Sequence, residues 1–248
     1  MEYIASRIQD LGPLHLVINP SVGGYAALYI TSTNNVAAYQ HDETYPFKTV
    51  NGIDPSTLSS KVVRVHTPFT LLPSAEYEES MKKRIAQEAF TFAQIDHIEH
   101  FNFENYVGVY ILEKELRSTI IREFGDINME HVVQSLLAAQ RTKDPSLLAH
   151  WSQNQLLLVG MKEGLRLANY YTINTPEDSI YYILSSYQLL QMDPLANPLS
   201  ISGSLTSKSA IFEKLRGFVK NFDWVNENHG LLEAPTFEPH LFYHLMNH

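Results

Sequence analysis

The chain has 248 residues, of which 44% are hydrophobic and 18% are charged, and this composition is typical of a globular protein with a sizeable core. Its formal net charge of −9 argues against broad electrostatic binding to nucleic acid or to an anionic membrane, because both need clustered lysine and arginine. The absence of cysteine excludes disulfides, thiolate metal sites and cysteine nucleophiles.

The start of the chain carries Glu2, Arg7 and Asp10 and has no long apolar run, so it does not have the pattern of a signal peptide. No stretch approaches the roughly 18 uninterrupted apolar residues that a membrane-spanning helix needs. We therefore expect a cytoplasmic protein that does not span a membrane.

The first half predicts a strand meander followed by helices. Runs of β-branched and aromatic residues between turn residues indicate strands at Leu14–Ile18, Tyr25–Thr31, Val36–Gln40 and Lys61–Val65. Apolar residues then recur at helical spacing up to Phe92, which predicts a helix capped by Ser74. The remaining predicted elements are a strand at Tyr106–Leu112 and helices at Leu116–Phe124 and Val132–Ala139, the first of them closed by Gly125.

The second half repeats this order. Its predicted strands are Leu147–Trp151, Leu156–Met161, Leu165–Ile173, Pro198–Ser202 and Phe222–Val225. A helix should start at Thr175-Pro176-Glu177-Asp178, which combines a capping threonine, a proline in the first turn and two acids. Ser207 is the expected cap of a second helix.

Each half therefore has the order β-β-β-α-β-α-β, which predicts an α/β protein built from two similar lobes. The polar stretch Arg141–Pro145 is the expected linker. We assign residues 1–140 to the first lobe and residues 141–248 to the second lobe, which ends in a C-terminal docking segment. The alternative is a chain of two unrelated α/β halves.

Three stretches carry a resemblance to a bacterial family, the domain of unknown function 3822. They are His66-Thr67-Pro68-Phe69-Thr70-Leu71-Leu72-Pro73, Asn174-Thr175-Pro176-Glu177-Asp178 with Tyr181-Tyr182, and Leu199-Ser200-Ile201-Ser202-Gly203. The order of elements also resembles the actin-like ATPase fold, which consists of two duplicated ribonuclease H-like lobes. The resemblance implies this fold and leaves the activity open.

In active members of the actin-like superfamily, the first hairpin of each lobe supplies a phosphate loop, and a carboxylate at the end of the first strand helps to hold hydrated Mg²⁺. If nucleotide binding survives here, the resemblance implies that the cofactor-binding residues are Ser21, Gly23, Gly24, Ser152, Gln153 and Gly203. The alternative is that Gly23-Gly24 forms a simple hairpin turn, which is the commonest use of such a pair.

The acids that this chemistry needs are missing from both loops. Asn19 is neutral, Pro20 removes one N–H donor, and Ser152-Gln153-Asn154 contains neither an acid nor a glycine. We therefore expect that ATP hydrolysis is lost, that the chain has no catalytic residues, and that ATP and Mg²⁺ are not its cofactors.

Two groups of histidines have spacings that a metal site could use. His97 and His100, with Asp96, could share a metal if they lay on a helix, but a polar surface turn is the favoured interpretation. His240, His244 and His248 have helical spacing near the C-terminus, and a docking helix is the favoured interpretation. No metal site is predicted from either group.

Two surface patterns indicate interactions. Lys208, Lys214, Arg216 and Lys220 fall on one predicted helix, either facing an anion or partner or forming its solvated side. Tyrosines such as Tyr171, Tyr181 and Tyr182 concentrate in the second lobe and mildly favour a protein-binding surface there. The leading hypothesis is a non-catalytic interaction or scaffold protein, with an unknown protein partner or a homo-oligomer. The alternative is a nucleotide-binding protein or weak ATPase.

Overall fold

The computed structural model describes residues 2–4, 13–20, 24–31, 36–44, 46–48, 53–54, 56, 58–90, 97–125, 127–141, 143–152 and 154–225. Within these residues the chain divides into two compact units, and it passes from the first to the second between Gln134 and Ser135. The predicted lobe boundary after residue 140 stays a prediction. None of the helices in the described ranges is long and apolar enough to cross a membrane.

The chain up to the unit boundary forms nine strands and three helices in its described residues. In chain order these are β1 (Glu2–Ile4), β2 (Leu14–Pro20), β3 (Tyr25–Thr31), β4 (Val36–Asp42), β5 (Leu58–Val65), β6 (Phe69–Pro73), α1 (Lys82–Ala89), β7 (Ile98–Phe103), β8 (Tyr106–Ile111), α2 (Lys114–Phe124), β9 (Asn128–His131) and α3 (Val132–Gln140), which contains the boundary. Two 3-10 turns, Ser74–Glu76 and Glu79–Met81, precede α1.

The main sheet of the first unit has the strand order β1-β4-β3-β2-β5-β9 among the described residues. The meander β2-β3-β4 is antiparallel, and β1 adds to it at β4. β5 pairs parallel with β2, and β9 pairs parallel with β5. β2 and β3 are buried along most of their length, which explains why they are nearly continuous apolar runs.

A second sheet in the first unit, of order β6-β8-β7, lies between β5 and α2 in the sequence. One face is covered by Ala86 and Phe90, which pack with Val107, Val109 and Ile111. Elsewhere in this sheet the ring of Phe101 fills the space beside Gly108, where an added Cβ would lie 2.1 Å from the ring. This extra sheet is a difference from the simple β-β-β-α-β-α-β order predicted for the first half.

The predicted helix start at Ser74 is wrong. Residues 69–73 pair with β8 as an antiparallel strand, and the Ser74 N–H donates to the Asn105 carbonyl at 2.7 Å, so that the residue extends the hairpin contact. The regular helix begins only at Lys82. Two apolar residues of the predicted pattern lie before it, and neither is in a regular helix: Tyr77 follows the first 3-10 turn, and Met81 ends the second.

The second unit follows the predicted element order. Its elements are β10 (Ser146–Ser152), β11 (Gln155–Met161), β12 (Leu165–Thr172), α4 (Pro176–Leu189), β13 (Leu199–Gly203), α5 (Ala210–Leu215) and β14 (Phe222–Trp224). The sheet order is β12-β11-β10-β13-β14, with β10, β13 and β14 parallel to one another. This is the same arrangement that β4, β3, β2, β5 and β9 have in the first unit.

Local side-chain caps determine where the helices of the second unit begin. The Thr175 side chain accepts a hydrogen bond from the Asp178 N–H, and the Asp178 carboxylate accepts from the Thr175 N–H, which makes a complete capping box. The predicted cap of α5, Ser207, is wrong. The helix is capped two residues later by Ser209, whose side chain accepts a hydrogen bond from the Phe212 N–H.

Candidate functional site

The end of β2 is the place where an actin-like phosphate loop would begin. Asn19 is half-buried there, and its Nδ2 donates a hydrogen bond of 2.9 Å to the backbone carbonyl of Arg64 on β5. A carboxylate has no N–H to donate, so an acid at this position would turn two oxygen acceptors towards each other. The neutral residue at this position is therefore used to join two parallel strands.

Gly24 is described at the start of β3, whereas Ser21 and Gly23 lie outside the described residues. An added Cβ at Gly24 would lie 2.2 Å from the Asp42 carbonyl oxygen and 2.7 Å from the Glu43 backbone. Any side chain would push the end of β4 away. The need for glycine at this position is thus explained by close backbone packing, without a ligand.

Asp42, whose backbone carbonyl lies next to Gly24, uses its side-chain carboxylate to form a turn. Asp42 Oδ1 accepts hydrogen bonds from the Thr44 N–H at 2.9 Å and from the Thr44 hydroxyl at 2.8 Å. These bonds, led by the hydroxyl, lower the pKa of Asp42 and keep it ionised. The sequence analysis did not single this acid out, and an aspartate two residues before a threonine is the usual signal of such a turn.

The corresponding loop of the second unit joins β10 to β11. Ser152 is half-buried at the end of β10 and pairs with Gln155 across the turn, while Gln153 lies outside the described residues. The Asn154 carbonyl accepts the Ile173 N–H at 2.7 Å, which ties the turn to the chain after β12. Its described residues are uncharged, so they provide no carboxylate of the kind through which proteins usually hold Mg²⁺.

Gly203 ends β13 with φ at +83°. An added Cβ would lie 1.9 Å from the Trp151 carbonyl oxygen, which accepts the Ser204 N–H at 2.8 Å. Glycine is therefore required both by the left-handed backbone and by the approach of β13 to β10. As at Gly24, packing accounts for the residue.

A buried polar cluster lies beside the Asn19 contact. Arg64 is only 2% exposed, and its Nε lies 3.2 Å from Oε2 of Glu130 on β9, which is 31% exposed. Burial lowers the pKa of Arg64, and the carboxylate of Glu130 opposes that change. The pair thus places a compensated positive charge inside the first unit.

His131, the next residue along β9, is fully buried among the rings of Phe69, Phe101 and Tyr110, whose centroids lie 4.9 to 5.9 Å from its own. The Val133 N–H donates to Nδ1 at 3.2 Å, so the ring proton resides on Nε2 and is donated to the Thr67 carbonyl at 2.7 Å. The Thr67 N–H, 3.4 Å from the same Nε2, is too distant to compete. Both nitrogens are used by the neutral form.

The other histidines that the sequence offers as metal ligands are His97, His100 and the three near the C-terminus. Ile98–His100 belong to β7, so His97 and His100 do not have the helical arrangement that a shared metal would need. Instead, Nδ1 of His100 lies 3.6 Å from Oε2 of Glu79, and the His100 ring lies near that of Tyr77. Asp96 and the three C-terminal histidines lie outside the described residues. Within the described ranges no group of three or more histidine, aspartate or glutamate side chains is arranged to hold a metal ion.

Similarity to solved structures defines the class of fold. One is a protein with actin-like ATPase fold and unknown function from Bacteroides thetaiotaomicron VPI-5482, which is 14% identical over 88% of this chain and 92% of that chain, with a TM-score of 0.66. Another is the PilM-PilN type IV pilus biogenesis complex, at 12% identity over 94% and 97%, with a TM-score of 0.56. The chain therefore has the actin-like ATPase fold, as predicted.

The family is shown by sequence. The model of the family "Protein of unknown function (DUF3822)" matches residues 60–222, so the chain belongs to that family. No curated protein matches the chain in sequence.

Proposed function

We propose that this chain is a non-catalytic interaction or scaffold protein that keeps the actin-like ATPase fold without its phosphate chemistry. The observation that carries the proposal is the Asn19 amide, which donates to the Arg64 carbonyl at the strand end where active relatives place an acid. Ser152 is likewise neutral at the end of β10. The packing around Gly24 and Gly203 supports a structural origin for both glycines.

A protein partner is part of the proposal. The PilM-PilN complex is an example of this fold in a protein assembly, and it is consistent with a similar use here. A cytoplasmic location, a bacterial origin and the lack of a nucleotide cofactor belong to the same proposal.

The first experiment is a calorimetric titration of the full chain with ATP and ADP in the presence of Mg²⁺. We expect no saturable heat up to about 1 mM nucleotide, which corresponds to a binding free energy weaker than about 4 kcal/mol. Saturable binding at micromolar concentration would reject the proposal and favour a nucleotide-binding protein or weak ATPase.

The second experiment is the substitution Asn19→Asp. Because the donor is lost and a carboxylate then faces a carbonyl oxygen, we expect the free energy of unfolding to fall by about 1–3 kcal/mol, with no gain of Mg²⁺-dependent nucleotide binding. Asn102→Asp, at an exposed position on β7, is the matched control and should change stability by less than about 0.5 kcal/mol. A stable Asn19→Asp variant that binds nucleotide would show that a single lost acid separates this chain from an active site.

A further inference from the structure

Gln140, the last residue of α3, is fully buried. Neither Nε2 nor Oε1 of its side chain has a hydrogen-bond partner in the part of the chain that the structure describes. Its backbone carbonyl accepts the Lys143 N–H at 2.9 Å, so the unpaired group is the side-chain carboxamide. Buried polar side chains are hydrogen-bonded in the large majority of cases, and a carboxamide that uses neither its donors nor its acceptor is a rare exception.

The rest of α3 shields this carboxamide from water. Val132, Val133, Leu136 and Leu137 are fully buried, and of all the residues in the helix only Ala138 is exposed. A helix that is buried on nearly every side is usually apolar on nearly every side. The Gln140 carboxamide therefore has no contact with bulk water as long as this end of α3 stays in place.

The two ends of α3 are held in different ways. At the start, Nδ1 of His131 accepts the Val133 N–H at 3.2 Å, and Oε1 of Gln134 accepts the His131 N–H at 2.8 Å. At the other end, the Arg141 N–H donates to the Ala138 carbonyl, three residues back, over a longer distance of 3.3 Å. The first turn is thus fixed by two side-chain acceptors, whereas the last turn closes on a long backbone bond.

An unpaired buried carboxamide changes the balance between an intact and an opened helix. It raises the free energy of the intact state, because the group has left water without gaining a partner. It does not raise the free energy of an opened state, in which water satisfies the group. Compared with an apolar residue, the carboxamide should therefore favour opening by at least about tenfold, which corresponds to about 1.4 kcal/mol.

From the burial, the missing partners and the less tightly held end, we infer that residues 136–140 of α3 open as a local unit that exposes the Gln140 carboxamide to water while the sheets remain folded. The chain passes from the first compact unit to the second between Gln134 and Ser135, so the opening segment lies directly after that point. Gln140 is thus a built-in source of conformational change in the helix that joins the two units. The inference concerns the free chain and goes beyond the proposed scaffold function.

The test is amide hydrogen exchange of the full chain at about pH 7, followed by mass spectrometry. In the wild type, we expect the amides of residues 136–141 to be at least about tenfold less protected than those of β11, which is almost completely buried and pairs on both sides. Their exchange should also be insensitive to urea up to about 1 M, because a local opening exposes little surface.

Variants connect the opening to the carboxamide. Gln140→Met puts an apolar group of similar length at this position and should raise the protection of residues 136–141 at least about tenfold. The same substitution at two other glutamines provides matched controls. Gln134→Met removes the acceptor of the His131 N–H and should lower the protection of α3, whereas Gln188→Met, at an exposed position of α4, should leave it unchanged.

Two results would overturn the inference. The first is equal protection of residues 136–141 and of β11 in the wild type, which would show that this part of α3 opens only in global unfolding. The second is protection in Gln140→Met that is equal to or lower than that of the wild type, which would show that the carboxamide is satisfied in the intact helix, for example by a buried water molecule. The first comparison needs no substitution, so it decides the question even if Gln140→Met does not fold.

Discussion

The buried His131 makes the stability of the first unit depend on pH in a calculable way. Removal from water is the main cause that lowers its pKa to about 3, His66 adds to this effect, and the hydrogen bond to Thr67 opposes it. The unfolded chain takes up a proton near the ordinary value of about 6.5, whereas the folded chain does not until about pH 3. Stability is therefore complete above about pH 6.5 and is lost progressively as the pH falls towards 3.

The size of the effect follows from these two values. At about pH 5 an unfolded histidine is almost fully protonated and the folded one is not, so the loss relative to about pH 7.5 is about 2 kcal/mol. Protonation would also remove the acceptor that Nδ1 offers to the Val133 N–H at the start of α3. The full loss of about 5 kcal/mol would be reached only below about pH 3, where carboxylates titrate as well, so the range between pH 7.5 and 5 is the best one to measure.

The assay compares the wild type with His131→Phe by urea unfolding, followed by circular dichroism, at a series of pH values. Phenylalanine keeps a ring in the aromatic surroundings but cannot titrate. Because it loses the hydrogen bonds to the Thr67 carbonyl and the Val133 N–H, the variant should be less stable at about pH 7.5. The wild-type advantage should shrink by about 2 kcal/mol between about pH 7.5 and pH 5. Every other titrating group is shared by the two proteins and cancels in the difference, apart from the electrostatic effect of His66 on His131. An advantage that stays constant within about 0.5 kcal/mol over this range would refute the reasoning.

Three further substitutions test the packing described above. Gly203→Ala should cost more than about 3 kcal/mol of unfolding free energy, because the new methyl group meets backbone, whereas Gly125→Ala, at φ +75° with open space around it, should show only the backbone cost of about 1–3 kcal/mol. Thr175→Ala should cost about 1 kcal/mol in chemical denaturation, and Thr175→Ser should restore most of it; equal losses would argue against the capping box. Glu130→Gln should cost about 2–3 kcal/mol, since it leaves a buried guanidinium uncompensated, and the exposed-pair control Glu88→Gln should stay within about 0.5 kcal/mol; similar values for the two would show that burial adds nothing.

The second unit could be predicted from sequence because its signals are local. The turn at Lys162–Gly164 and the capping box at Thr175 each depend on residues only a few positions apart. In the first unit, Gly125 is a local signal of the same kind, since it ends α2 with φ at +75°. Local chemistry of this kind is visible without any knowledge of the fold.

The first unit was harder for the opposite reason. β9 is Asn-Met-Glu-His, which has no strand-like alternation, and it is a strand because residues 128–131 pair with residues 62–65 of β5. β7 was likewise missed, since its sequence is half polar and only β8 makes it extended. At the candidate site, the neutrality of Asn19 was evident, but its partner lies 45 positions away and could not be predicted.

Gly108 and Phe101 have a consequence for how this family can vary. The phenylalanine ring occupies the volume that a side chain at position 108 would need, so the two positions share one space across neighbouring strands. A larger residue at 108 is tolerable only if 101 becomes small, and a small residue at 101 alone would leave a cavity. We expect the two positions to change together among relatives, so that they behave as a single inherited unit.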